Sequence, residues 1–343
     1  MRLSHSQVSK YTMCPKSYEY HYIKRLRPKL NPASLIFGSA LDSGLNELLL
    51  PTGRTPEEVF IETFTSVNGV SVKDNINYTY AASDFDGELL PELSDEDAAT
   101  MSILKEKKTK YGLEGLTEEE RVFFNGWHWE SLKVKGLLML QAYRTKVLPL
   151  IEKVIAVQVP IDLTNGDDSI TGFIDFIAEI KGHGTCLLDN KTSSIEYAKD
   201  SVIVSPQLAL YKHAVQHLYP INKAGYVVMR KQVVKNRNKI CSKCGYDGSA
   251  ARHTTCPNTI EGKRCGGSWN ETISPDINIQ IILDEIPTKT ENLVLDNYDV
   301  VNHAIKSGIF PRNLHTCNNV FGGQCPYYKL CYKDSTEGLE EVT

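Results

Sequence analysis

Between residues 169 and 192 apolar and polar positions alternate with a period of two, which predicts a pair of strands. The first, Ser169-Ile-Thr-Gly-Phe-Ile-Asp-Phe-Ile-Ala-Glu-Ile180, is rich in β-branched and aromatic residues; the second is Thr185-Cys-Leu-Leu-Asp-Asn-Lys-Thr192. Upstream, from Gln141 to Leu163, a helical pattern passes into a strand. Downstream, Ser205-Pro-Gln-Leu-Ala-Leu-Tyr-Lys-His-Ala-Val-Gln-His-Leu-Tyr219 predicts a helix with Ser205 as N-cap and Pro206 at its first position. Two further strands are read at 229–239 and 278–283. The expected fold is α/β, a central mixed sheet flanked by helices, with the sheet's polar residues gathered on one edge.

Side chains alternate between the two faces of a strand, so Asp189 and Lys191 share a face. Across an antiparallel pair Asp175 can reach the same point. Two carboxylates and an ammonium are the groups needed to hold a hard divalent cation and to place a positive charge beside a phosphodiester under attack. The same pair could also lie on a solvated strand face. Gln207 and Tyr211, four residues apart, share one helix face near an N-terminus, where backbone N–H groups favour phosphate.

Gly172-Phe-Ile-Asp175, Leu188-Asp-Asn-Lys-Thr-Ser193 and Gln207-Leu-Ala-Leu-Tyr211 resemble the Gly-x-x-Asp, Asp-x-Lys-Thr and Gln-x-x-x-Tyr motifs of RecB-like nucleases in the PD-(D/E)XK superfamily. The opening Ser4-His-Ser-Gln-Val-Ser-Lys-Tyr-Thr-Met-Cys-Pro-Lys-Ser-Tyr-Glu-Tyr20, which contains Cys14-Pro15, is similar to that family's N-terminal Ser-x-Ser…Cys-Pro helices. Phe37-Gly-Ser-Ala-Leu-Asp42 stands where the family has Phe-Gly-x-x-x-His, so the resemblance places Asp42 at a metal-binding position. It covers the first fifty residues, about 150 to 230, and the C-terminus. It implies a restriction-endonuclease-like core in which Asp42, Asp175 and Asp189 bind Mg²⁺ or Mn²⁺. Lys191 would position water or stabilise phosphorane charge, and Gln207 and Tyr211 would orient the lysine or hold the DNA backbone.

The nine cysteines fall into a group of four, a group of three and two singles. Cys317, Cys325 and Cys331 leave an iron–sulfur cluster one ligand short, and Cys14 is the available fourth. Similar RecB-like nucleases, including AddAB-type and CRISPR-adaptation exonucleases, close a [4Fe–4S] cluster in this way; structural zinc or unligated thiols are the alternatives. Cys241, Cys244, Cys256 and Cys265 look like a small zinc ribbon set as an insertion at a hairpin tip, with His253 able to replace a later ligand. Its basic approach strand suggests DNA contact or, equally, a loop that needs a metal to fold. Cys186 faces away from Asp189 and reads as a buried apolar residue.

Composition changes little: 23% charged, 41% hydrophobic and a net charge of −4 are ordinary for a soluble protein and give DNA no general electrostatic pull. Local patches matter more: Tyr18-Glu-Tyr-His-Tyr-Ile-Lys-Arg-Leu-Arg-Pro-Lys29 offers aromatics for base stacking, although helical spacing also suits Tyr18 and Tyr22 to a core. No apolar run approaches a membrane span and no signal-peptide h-region is present, so a cytoplasmic protein is expected. The expected organisation is an N-terminal helical part (1–64), a helical and acidic insertion with a flexible acidic stretch (65–130), the nuclease core (131–235), the ribbon-like insertion (236–272) and a C-terminal part carrying cluster cysteines (273–343). The expected function is a metal-dependent DNA nuclease, an exonuclease or end-processing enzyme in repair, recombination or replication, with a possible helicase or recombination partner. A non-catalytic DNA-binding or assembly subunit on the same scaffold is the alternative.

Overall fold

The computed structural model describes residues 1–67, 70–165, 168–249, 253–318 and 324–342. Residues 319–323 of the C-terminal cysteine segment and 250–252 of the ribbon-like stretch lie outside the described residues. The chain opens with β1 (Arg2–Ser4), whose last residue caps α1 (His5–Met13): Ser4 Oγ accepts from the Gln7 amide, and the Gln7 side chain accepts from the Ser4 amide. Next come α2 (Pro15–Tyr18), α3 (Ala33–Leu49), α4 (Pro56–Thr65), α5 (Asp95–Tyr111) and α6 (Glu118–Lys146). A Thr117/Glu120 capping box starts α6, which runs without a break through residue 130. Then follow β2 (Ile151–Asn165), β3 (Asp168–Ile180), β4 (Gly184–Ser193), α7 (Pro206–Val215), β5 (Lys223–Cys241), β6 (Trp269–Asp284), α8 (Thr288–Lys306) and α9 (Tyr328–Lys333).

Six strands form one mixed sheet, β1-β3-β4-β5-β6, with β2 also paired to β3. β2 and β3 are an antiparallel hairpin from Ile151↔Ile180 to Asn165↔Asp168. Because β2 covers one edge of β3 along its length, β1 and β4 must share the other. β1 pairs there in parallel from Arg2↔Ser169 to Ser4↔Thr171, and β4 antiparallel from Ile180↔Gly184 to Phe176↔Leu188. Residues 172–175 are left unpaired between them. The sheet therefore opens in its interior at Gly172-Phe-Ile-Asp175, not at an outer edge as expected. From β4 the chain crosses over through α7 to β5, which lies parallel to it, and β5 and β6 extend as an antiparallel arm to Cys241↔Trp269.

Alternation along the strands feeds two cores. One gathers Phe37, Phe60, Phe64 and Trp129 of α3, α4 and α6 with Phe176, Leu188 and Met229 of the sheet. The other joins Val8, Leu208 and Tyr298 of α1, α7 and α8 to Ile177, Leu187 and Val228. Each such side chain contributes about 1.5–3 kcal/mol on burial, so both helical layers are anchored where they meet the open part of the sheet.

One sequence expectation changes and others hold. Asp84, placed in a flexible acidic stretch, is 1% exposed and pairs with buried Lys231 on β5 at 3.0 Å, tying this segment to the sheet. Tyr18 and Tyr20 are core residues, 2% and 6% exposed, and so are not open for base stacking. Cys186 is fully buried. Among the described residues no helix is long and apolar enough to cross a membrane.

Candidate active site and cysteine centres

The gap in the sheet gathers the chemistry. One step beyond the last β3–β4 pair, Asp175 falls opposite Asp189, and the strands part there. The Asp175 carboxylate takes the place of the missing ladder carbonyl: the Asn190 amide donates to its Oδ2 at 2.7 Å. Gly172 provides room for Tyr211, since a Cβ at this glycine would lie 3.2 Å from the tyrosine ring. Asp189 is 1% exposed and its Oδ2 pairs with Lys191 Nζ at 2.5 Å.

Gln207 links this pair to α7. Its Nε2 donates to Asp189 Oδ1 at 2.9 Å and to the Tyr211 hydroxyl at 3.2 Å, while its Oε1 accepts from Lys191 Nζ at 3.1 Å. Ser205 fixes the start of α7 by accepting from the Leu208 amide at 3.1 Å. The side chains of Gln207 and Tyr211 are thus turned onto the carboxylate and ammonium. Gln207 touches Lys191, Asp189 and Tyr211, and the Tyr211 hydroxyl bonds to Gln207.

Asp42 approaches from α3, where Asn46 Nδ2 and Gln158 Nε2 donate to its Oδ2 at 3.3 and 3.1 Å. Asp42, Asp175, Asp189, Lys191, Gln207 and Tyr211 all line one open cleft. Asp42 Oδ1 is buried without a donor, which is costly for an anionic oxygen unless a cation completes it. The three carboxylates do not close as a set to within 4.8 Å of one another. Mg²⁺ usually keeps several of its waters, so carboxylates that hold it need not all be this close.

Burial raises the pKa of Asp175 well above the usual carboxylate range, and the charges of Asp189 and Asp42 push it further. Burial also raises Asp189, against the pull of Lys191, and raises Asp42. For Lys191 burial acts downward, but Asp189, Asp175 and Tyr226 outweigh it and the net shift is upward. The lysine is therefore held as a cation while the carboxylates compete for a shortage of positive charge.

Two contributors had not been read from the sequence. Gln158 stands opposite Asp175 on β2 with φ +52°, interrupting the ladder between Val157↔Phe176 and Val159↔Ile174. Its side chain ties Asp42 and, at 3.3 Å, Asn46 to the sheet. A single glutamine within the apolar run 154–159 was the available signal. His5 follows β1 directly, its Nδ1 lies 3.4 Å from the Tyr298 hydroxyl, and burial, then Lys191, lowers its pKa. Nothing in the local sequence distinguishes it.

A family model described as the PD-(D/E)XK nuclease superfamily matches residues 2–332. The chain belongs to the PD-(D/E)XK nuclease superfamily. Nucleases of this superfamily use divalent metal ions. A crystal structure described as "Putative exonuclease" from Eubacterium rectale is 13% identical, covering 82% of this chain and 88% of that one, with a TM-score of 0.30. That likeness is too slight to carry an argument. No curated protein matches this chain.

This PD-(D/E)XK chain also carries two sets of four cysteines. Cys241, Cys244, Cys256 and Cys265, at the end of the β5–β6 arm, bring their Sγ atoms within 4.8 Å of one another. Cys241–Cys265 and Cys244–Cys256 are 3.6 and 3.7 Å apart. Among the described residues no other group of three or more His, Cys, Asp or Glu comes so close, so the set could hold a metal ion. Burial would raise the Cys241 thiol, but the Cys244 and Lys243 amides and neighbouring thiols bring it down to about 6, making it a ready thiolate. His253, the alternative ligand, is exposed, and it is its backbone carbonyl that accepts from Trp269 Nε1 at 2.9 Å. Cys14, Cys317, Cys325 and Cys331 line one small cavity where the two chain ends meet. Their Sγ atoms stand farther apart than those on the arm, and burial raises the Cys325 thiol, as do the three other thiols.

Proposed function

We propose that the protein is a metal-dependent deoxyribonuclease of the RecB-like branch, acting as an exonuclease or end-processing enzyme in DNA repair, recombination or replication. The observation that carries this reading is the single cleft in which Asp175 and Asp189 meet at the sheet's gap, with Lys191 held between Asp189 and Gln207. Asp42, Asp175 and Asp189 would hold Mg²⁺ or Mn²⁺, which supplies Lewis acidity to water and to the phosphoryl oxygen. Lys191 contributes a fixed positive charge where negative charge develops, and Gln207 keeps its ammonium aimed. Tyr211, buried and hydrogen-bonded to Gln207, sets the amide's orientation. Asn46 and Gln158 hold the Asp42 carboxylate by its Oδ2 and leave Oδ1 without a donor. A helicase or recombination partner fits such a role.

For the arm we propose Zn²⁺: a tetrahedron with Zn–S of about 2.3 Å has edges of about 3.8 Å, close to the separations seen. For the wider set at the chain ends we propose a [4Fe–4S] cluster, because a polynuclear group needs thiolates farther apart than one ion does. It would staple residue 14 to residues 317–331, closing a loop over most of the chain. Metal analysis of anaerobically purified protein should give about one zinc and four iron atoms per chain; two zincs without iron would remove the cluster.

Asp42 at the position where RecB-like relatives carry histidine favours a second reading, a non-catalytic DNA-binding subunit. Matched DNA and RNA oligonucleotides with Mg²⁺ or Mn²⁺ separate the readings. Cleavage of DNA that is lost in Asp189→Ala supports the nuclease. DNA binding without cleavage under either metal supports the second reading, and cleavage of RNA alone contradicts both.

A further inference from the structure

Asp175 shares the stretch of β3 whose β4-side edge is open with Phe173, two residues back on the same face. Phe173 is 59% exposed, and among the described phenylalanines it alone is exposed. A lone apolar side chain on an ordinary surface needs no explanation. This one lines the cleft that holds the three carboxylates, and Leu35 of α3, 68% exposed, lines the same cleft from another element. The α3 wall between Leu35 and Asp42 is low: it carries Gly38 and Ser39, and a Cβ built at Gly38 would meet nothing within 4 Å. No side chain at Gly38 fills this side of the cleft.

Charge does little to hold a substrate here. Lys191 is the sole cation among the residues lining the cleft, and it is already paired with Asp189. Non-specific DNA binding ordinarily draws its affinity from several lysine or arginine contacts to phosphate, which this cleft lacks. Stacking of bases on aromatic rings is the other general source, and it works with any base because each has a π-face.

We infer that Phe173 is the stacking platform for the nucleobase next to the scissile phosphate, with Leu35 bounding the slot from the α3 side. This deepens the nuclease reading and rests on it. Inside a duplex both faces of a base are covered by its neighbours, so the residue favours a single-stranded or frayed end at the cleft. Its role is positioning, since it touches substrate away from the reacting atoms.

The test walks a single abasic residue along a single-stranded DNA oligonucleotide and measures kcat/KM for the parent protein, Phe173→Ala and Phe173→Trp. The parent should lose about 5- to 150-fold when the abasic residue occupies one particular position. Phe173→Ala should show that loss on intact DNA and no further loss at that position, while Phe173→Trp should restore both activity and positional sensitivity. A Phe173→Ala protein that is as active as the parent on intact DNA, or equally sensitive at every position, would overturn the proposal. If no protein cleaves, the nuclease reading fails separately, and the same walk is read as binding in Ca²⁺. A position at which the parent discriminates and Phe173→Ala does not would still support stacking; no such position would overturn it.

Discussion

Gln207 makes three hydrogen bonds with the machinery, so its removal should disable positioning while leaving the carboxylates and lysine in place. In Gln207→Leu, Asp189 Oδ1 loses the donor now at 2.9 Å, Lys191 loses the acceptor at 3.1 Å and Tyr211 loses its partner at 3.2 Å. The Lys191–Asp189 pair at 2.5 Å remains, so the ammonium stays in the cleft but is free to swing. A hydrogen bond to a charged group is worth about 1.5–3 kcal/mol. Loss of one such bond's worth of alignment in the transition state gives a fall in kcat of about 10- to 150-fold, with a smaller change in KM. Gln207→Glu sharpens the test. Its carboxylate would face Asp189 Oδ1 and repel it, whereas the protonated acid could donate there as the amide does. Its activity relative to the parent should therefore rise as pH falls. Steady-state rates on end-labelled DNA at saturating Mg²⁺, taken across pH, measure both effects. A Gln207→Leu kcat within about threefold of the parent, or a Gln207→Glu ratio flat with pH, would refute the positioning role.

Other consequences follow from the buried charges and thiols. Because burial, Asp189 and Asp42 raise the Asp175 pKa, the folded protein binds a proton that the unfolded chain releases at the ordinary carboxylate value. Metal-free stability is therefore full below that value and falls as pH rises through the folded pKa. Asp175→Asn should melt higher than the parent without metal, by roughly 1–2 °C for each kcal/mol of strain relieved, with the gap wider at pH 8 than at pH 5, and should lose Mg²⁺ stabilisation; a lower melting point at both pH values would contradict the assignment. Lys231→Met removes the ammonium paired with buried Asp84, leaving only the more distant Lys108 and Lys135, and should cost up to about 3–5 kcal/mol in urea unfolding, much of it recovered in Lys231→Met/Asp84→Leu; a cost under about 1 kcal/mol would show that the pair is not a clamp. Cys256→Ser should lower zinc content and open the 241–268 arm to protease while leaving the melting of the core unchanged, and unaltered zinc would exclude these ligands.

Local pattern carried much of this architecture. Period-two alternation over 169–192 marks β3 and β4 and puts Asp189 and Lys191 on one face, because that periodicity is a property of the strand itself. Ser205-Pro206 marks the start of α7 for an equally local reason. The gap that turns these strands into a cleft was not legible: it arises when β1, more than 160 residues away, takes the part of the β3 edge that β4 leaves free. Gln158 was missed because its positive φ depends on opposing Asp175 across β2 and β3. Asp84 read as a solvated acid because the lysine that neutralises it, Lys231, comes 147 residues later. The tyrosines near residue 20 show the converse: a composition suited to nucleic acid was taken up by the core, and the exposed ring of the cleft is Phe173.

The most direct measurement is degradation of end-labelled single- and double-stranded DNA with Mg²⁺ or Mn²⁺, beside Lys191→Ala. Metal-dependent cleavage by the parent, abolished by chelation and reduced at least a hundredfold in the variant, is the predicted result. Equal cleavage by parent and variant, or none by the parent while DNA is still bound, would contradict the account.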